Sequence, residues 1–303
     1  MVELRFDQAS RDAQTHTNLS ALRADATGLW IAGDETATIE RLTWTGERYD
    51  HQRTFHLADH VDLPAGRDDE ADIEGLARAG GWLWAVGSHS LKRRRAKSRE
   101  KAAKRLSAII REPNRFVLVR LPLEGDGLGK GAILTGLADA LADDPHLGPF
   151  TAIPGKDNGL DIEGLAVVGD RVLLGLRGPV LRGWAVVLEL DLREDGPRRL
   201  KLGGYHKHFL DLGGLGVRDL CPYDGDLLLL TGPTMSLDGP VRIMRWDGTG
   251  APVPVADLPY GVGCDHPEGL AAMGDGRLMV VYDSPSPARL TPEGGVLADL
   301  ITI

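Results

Sequence analysis

The chain has 303 residues, with 44 Asp or Glu against 35 Lys or Arg and a net charge of −9. That balance disfavours nucleic acid and anionic membrane as partners of the molecule as a whole, and no apolar stretch approaches the roughly 20 residues that span a bilayer. Two cysteines, Cys221 and Cys264, are too few for a disulfide framework and fit a reducing compartment; Met1 is followed by no basic, hydrophobic leader, so the expected location is cytoplasmic.

In chain order, Val2 to Phe6 reads as a short strand, and one pattern then recurs to the C-terminus. Asp72-Ile-Glu-Gly-Leu-Ala77, Asp161-Ile-Glu-Gly-Leu-Ala166 and His266-Pro-Glu-Gly-Leu-Ala271 are its strong copies. Asn18 to Trp30 and Gly216 to Leu230 keep the hydrophobic pattern and lose the Glu. The Glu position is filled by Ser20, Glu74, Glu163, Arg218 and Glu268, at separations of 54, 89, 55 and 50 residues. An apolar strand follows in each copy: Leu29 to Ala32, Leu83 to Val86, Val172 to Gly175, Leu227 to Leu230 and Leu278 to Val281. Later strands are expected at Trp184 to Leu190, Arg198 to Leu202, Val241 to Trp246 and Val253 to Leu258, between Gly, Asp and Pro turn signals.

Repeats of this length with four strands apiece predict an all-β fold, a β-propeller in one domain over residues 1–303. Five blades are expected, with six as the alternative. Val2 to Phe6 is expected to complete the short last copy and close the ring. The long second interval holds a basic, alanine-rich insertion at about 92–115, with 11 Lys or Arg against Glu100 and Glu112. Ala102, Leu106, Ile109 and Ile110 fall on one helical face there before Pro113 ends the run. Leu137 to Asp143 reads as a second short helix. The insertion is either a solvated helix over the acidic body or a phosphate-binding arm; no aromatic residue interleaves it for base stacking.

In a propeller the first strands line the axis, so equivalent positions form rings. The Glu position makes one ring. Two residues earlier stand Asn18, Asp72, Asp161, Gly216 and His266, and 14 or 15 residues later stand Asp34, Ser88, Arg177, Gly232 and Asp283. Leu76, Leu165, Leu220 and Leu270 are expected to pack between blades. Two like charges about 4 Å apart repel by roughly 4 kcal/mol at an effective dielectric of 20, so converging carboxylates must protonate, recruit arginines or bind a cation. Glu74, Glu163, Glu268, Asp72 and Asp161 are the candidate metal ligands. Oxygen donors point to calcium or magnesium, while His89 or His266 would admit zinc or manganese. The opposing expectation is that the same carboxylates only brace neighbouring blades.

The Asp-Ile-Glu-Gly-Leu strings, Gly87-Ser-His-Ser90 with its basic insert, Arg115-Phe-Val-Leu-Val-Arg120 and His266-Pro-Glu-Gly-Leu resemble a bacterial propeller family classed as a domain of unknown function. More distantly, the Glu-Gly of the first strand is similar to the gluconolactonase and senescence-marker propellers and to the esterase-like phytases. The lactonase resemblance implies a divalent metal in the channel, with Glu74, Glu163 and Glu268 as matching positions. Arg177 and Arg218 in the same tier depart from that pattern and leave room for an anionic small-molecule ligand.

The leading expectation is a metal-assisted hydrolase of a small ester, lactone or phosphoester. His89, Asp34 and Asp283 would transfer protons, and Arg177 and Arg218 would orient an anion. No Gly-x-Ser-x-Gly elbow occurs. The alternative is a non-catalytic scaffold that binds a protein or small anion. His206 with His208, and His56 with His60, are further histidine pairs of metal-binding spacing.

Overall fold

A computed structural model describes residues 1–94, 96, 98–235, 238–261 and 263–303. Its strands form antiparallel meanders in the register expected from the repeat. The first is Leu19–Ala24, Gly28–Gly33, Thr38–Trp44 and Tyr49–His56. The second is Ile73–Ala79, Trp82–Gly87 and Leu118–Glu124, with an outer edge split between Gly127–Leu128 and Ala132–Leu134. The third is Asp161–Val168, Arg171–Gly178, Trp184–Glu194 and Leu200–Asp211, and the fourth is Gly216–Tyr223, Asp226–Gly232, Val241–Trp246 and Val253–Leu258. The last takes His266–Ala272, Arg277–Asp283 and Gly295–Thr302, and Val2–Arg5 pairs antiparallel with Gly295–Thr302 to complete it. Closure by the N-terminal strand is as the sequence leads one to expect.

The first strands touch one another in a closed cycle, each against those of the meanders before and after it. The apolar core follows the same plan. It divides into clusters that lie between adjacent meanders, for example Leu76 and Leu83 with Trp30 and Ile39, or Leu220 and Leu229 with Leu173 and Val187. This explains why the second strands are apolar throughout: each is covered on both faces by neighbouring sheets, so alternation is lost. The molecule is a β-propeller.

Two expectations need correction. The fourth strand of the third meander runs Leu200–Asp211, well past Leu202, because Trp184–Glu194 pairs with it along its whole length. In the basic insertion, helix covers only Arg99–Leu106, and Ile109–Ile110 instead pairs with Lys92–Arg93 as a two-stranded stalk. Backbone pairing at the stalk outweighs the helical spacing of the two isoleucines. No residue of the helix is buried, and Leu106 and Ile109 are exposed. The second short helix, Leu137–Leu141, packs Leu137, Ala138 and Leu141 into the core.

Candidate functional site

One backbone device builds the ring. In every first strand the ladder slips by a residue at the Glu position: between Leu19 and Ala21, Ile73 and Gly75, Ile162 and Gly164, Val217 and Asp219, and Pro267 and Gly269. The residue left over is Ser20, Glu74, Glu163, Arg218 or Glu268. A bulge leaves one residue unpaired and re-aims its side chain, so each copy turns this residue out of the ladder. The glycines that follow serve blade packing. A Cβ on Gly75 would stand 2.8 Å from Leu165 Cβ, one on Gly164 2.9 Å from Leu220 Cγ, and one on Gly269 2.8 Å from Leu22 Cδ2. The leucines of the neighbouring blades need that space, which accounts for the Leu column.

Around the mouth, where first strands begin and second strands end, the ring has two unlike halves. On one side the carboxylates meet arginines. Arg177 Nη1 donates to Glu163 Oε1 at 2.6 Å, and Arg218 Nη1 pairs with Glu268 and stands 3.7 Å from Glu163 Oε2. Both guanidinium groups also donate to the Pro233 carbonyl at 3.3 Å, so the chain after the second strand of the fourth meander lies against them. Glu163 and both arginines are buried, yet Glu163 Oε2 has no hydrogen-bond partner.

The other side is acidic. Asp34, Asp72 and Glu74 each present a carboxylate oxygen within 4.8 Å of the others. Asp72, in the left-handed region at φ 48°, is tied to Arg115. Asp34 Oδ1 is buried and has no hydrogen-bond partner among the described residues. Burial, reinforced by Asp283 and then Asp72, pushes the Asp34 carboxyl up to about 8. Burial and then Asp72 and Glu163 push Glu74 well above the usual carboxylate range, and burial followed by Glu163 raises Asp161 to about 7. Asp161 stands 3.9 Å from Arg177, between the two halves. Asp283 is half-buried and pairs with Asn18 across the joint between the last and first meanders. The three oxygens are near enough to one another to be ligands of a single metal ion.

Of the candidate ligands, Asp72 and Glu74 therefore fall in the trio with Asp34, while Glu163 and Glu268 are held by arginines. His89 has different surroundings. Its ring is buried edge-on to Phe116, its Nδ1 lies 2.8 Å from the Gly87 carbonyl, and burial lowers it to about 4. His266 is exposed, with Nε2 3.8 Å from Asp238. His206 and His208 stack edge to face, and His208 Nε2 is 2.8 Å from Glu189.

Sequence reasoning missed the pair that closes the axis. Further along the first strands, Arg23 makes a two-pronged contact with Asp219, at 2.8 and 3.0 Å. It also donates to the carbonyls of Leu22, Leu165, Leu220 and Leu270, and Asp219 accepts from the backbone of Leu220 and Leu270. One guanidinium thus links four meanders, and the mouth is a cup rather than a through-channel. A signal for the pair was present. Arg23 aligns with Ala77, Ala166, Cys221 and Ala271, and Asp219 with Ala21, Gly75, Gly164 and Gly269. Each is the charged exception in a column of small residues. Arg115, which braces Asp72, Glu70 and Glu112, was likewise overlooked as a rim cation.

Among solved structures, a Myxococcus xanthus glutaminyl cyclase is similar at 12% identity and a TM-score of 0.48, covering 100% of this chain and 96% of that one. The PQQ-bound aldose sugar dehydrogenase of Streptomyces coelicolor is similar at 12% identity and a TM-score of 0.42, over 94% of this chain and 96% of that one. The Cps50 (Swd1) β-propeller domain of Myceliophteria thermophila is similar at 10% identity and a TM-score of 0.36, over 88% and 93%. No curated protein matches the chain in sequence. The model of one family, described as a protein of unknown function (DUF3616), matches residues 18–136 and 128–299. These two segments take in all five first strands and the ring they build, and the chain belongs to the DUF3616 family.

Proposed function

We propose that the acidic half of the mouth binds a divalent cation and that the cup hydrolyses a small anionic ester, lactone or phosphoester. The observation that carries this reading is the convergence of Asp34, Asp72 and Glu74 on one point, with a buried Asp34 oxygen that has no hydrogen-bond partner among the described residues. The all-oxygen donor set favours calcium or magnesium over zinc, since neither His89 nor His266 joins it. A cation bound there would polarise a substrate oxygen or acidify a bound water.

This chain's own residues supply the rest. Asp34, Asp72 and Glu74 hold the ion; Arg115 fixes the Asp72 carboxylate. Arg177 and Arg218, on the opposite side, orient the anionic end of the substrate as planar donors. Asp283, at the rim beside Asp34, receives the proton. The non-catalytic scaffold reading draws its support from the arginines, which are already ion-paired with Glu163 and Glu268.

Protein dialysed against calcium or magnesium, with metal content then measured, should retain about one ion per chain. Asp34→Asn and Glu74→Gln should lose it while remaining folded. Aryl acetate, δ-lactone and aryl phosphate turnover, each with and without chelator, tests the reaction. Absence of a retained ion in the wild type would end the reading; a retained ion with no turnover of any class would leave cation binding and favour the scaffold.

A further inference from the structure

On the face opposite the mouth, the hairpin tips of the first and last meanders enclose a cleft of about 560 Å³, within the size range of small-ligand sites. The sheets there are joined by one parallel bridge, Leu4 to Tyr49, and the cleft opens beside it. Its floor is apolar, with Val2, Met273, Met279 and Leu300. One wall is aromatic: Trp44 and Tyr49 rings lie 4.8 Å apart, and Trp44 is 42% exposed.

Tyr49 is only 7% exposed as a residue, and its hydroxyl, which is not among the fully buried atoms, makes no hydrogen bond among the described residues and is free to meet a ligand in the cleft. Burial holds the phenol above its usual range, so it stays a neutral donor. The polar rim carries little net charge. Asp275 and Arg277 are paired at 2.5 Å, and Asp25 is engaged by Thr27, Gly28 and Arg41. A charged ligand would have to break one of these pairs, whereas a neutral one with hydroxyls can bridge the exposed Asp275 and Arg277 as they stand.

We infer that this cleft binds a neutral ring with an apolar face and a hydroxylated edge, the chemistry of a pyranose unit. The apolar face lies on Trp44 and Met273, and a ring hydroxyl accepts from Tyr49. The site is separate from the mouth and does not depend on its proposed cation.

Calorimetric titration of the full chain with methyl β-glucopyranoside, methyl α-mannopyranoside and methyl β-galactopyranoside tests this, with cyclohexanol as the apolar control. At least one glycoside should bind and cyclohexanol should not. Tyr49→Phe keeps the ring packing and should weaken binding about tenfold, the loss of one hydrogen bond. Trp44→Ala should abolish it, and both variants should keep the wild-type melting curve and metal content. No glycoside binding, or binding unchanged in Tyr49→Phe, overturns the inference. Neither result touches the mouth, whose own test is metal content.

Discussion

The two halves of the mouth are built by the same bulge on the same strand, and they solve the same electrostatic problem in opposite ways. Glu163 and Glu268 face Arg177 and Arg218, so burial there is opposed by the protein's own cations, although it still raises the Glu163 carboxyl. Among the described residues Asp34 and Glu74 form no ion pair with an arginine, and burial leaves them reluctant to ionise. The difference teaches that position on the ring does not set the chemistry; the neighbour across the blade joint does. One half is neutralised by the protein's own arginines, and the other is completed only by protons or by something brought in from solvent.

The sharpest way to break this comparison is at the axis beneath both halves. Asp219→Ala strands the buried Arg23 charge, with an expected cost of about 4 kcal/mol in denaturant unfolding. Next, Arg177→Met on the compensated half should cost about 3 kcal/mol, because Glu163 is left buried without its closest cation. The acidic half should respond with the opposite sign. In chelator, Asp34→Asn should stabilise by about 1 kcal/mol, since it removes a group whose ionised form is disfavoured by burial. If Arg177→Met and Asp34→Asn shift the unfolding midpoint in the same direction, the two halves are not different in kind.

A test of a different kind is in pH. Asp34 and Asp161 keep their protons to about 8 and about 7 in the folded state, while the unfolded chain loses them near the ordinary carboxylate value of 3.8. The folded state therefore binds more protons across that window, and the stability this supplies is lost as pH rises. Chelated protein should melt on the order of 2–4 °C lower at pH 8.5 than at pH 5 per kcal/mol so lost. Calcium should restore the loss above pH 7, because a cation stabilises the ionised carboxylates. A melting temperature flat in pH, with or without calcium, would show that the trio is not held protonated.

Much of the architecture was legible because it is written as a period. Equivalent residues such as Leu76, Leu165 and Leu220 face equivalent neighbours, so one correct reading is repeated around the ring. The charged tier was legible for the same reason, and Glu74 and Asp72 do converge. The partners were not, because ion pairs here join residues far apart in sequence: Arg115 reaches back 43 positions to Asp72, and Arg218 reaches 50 forward to Glu268. His89 shows the limit from the other side. Flanked by two serines, it looks reactive in sequence, yet Phe116 and the Gly87 carbonyl hold its ring buried.

The recurring slip in the ladder has a practical reach. Because the odd residue is excluded from strand pairing in all five copies, its identity is decoupled from the sheet that carries it. Nature has already installed a hydroxyl, three acids and a guanidinium in those sockets. The same frame should accept other occupants, so the rim of this propeller is a place where new chemistry can be written without redesigning the scaffold.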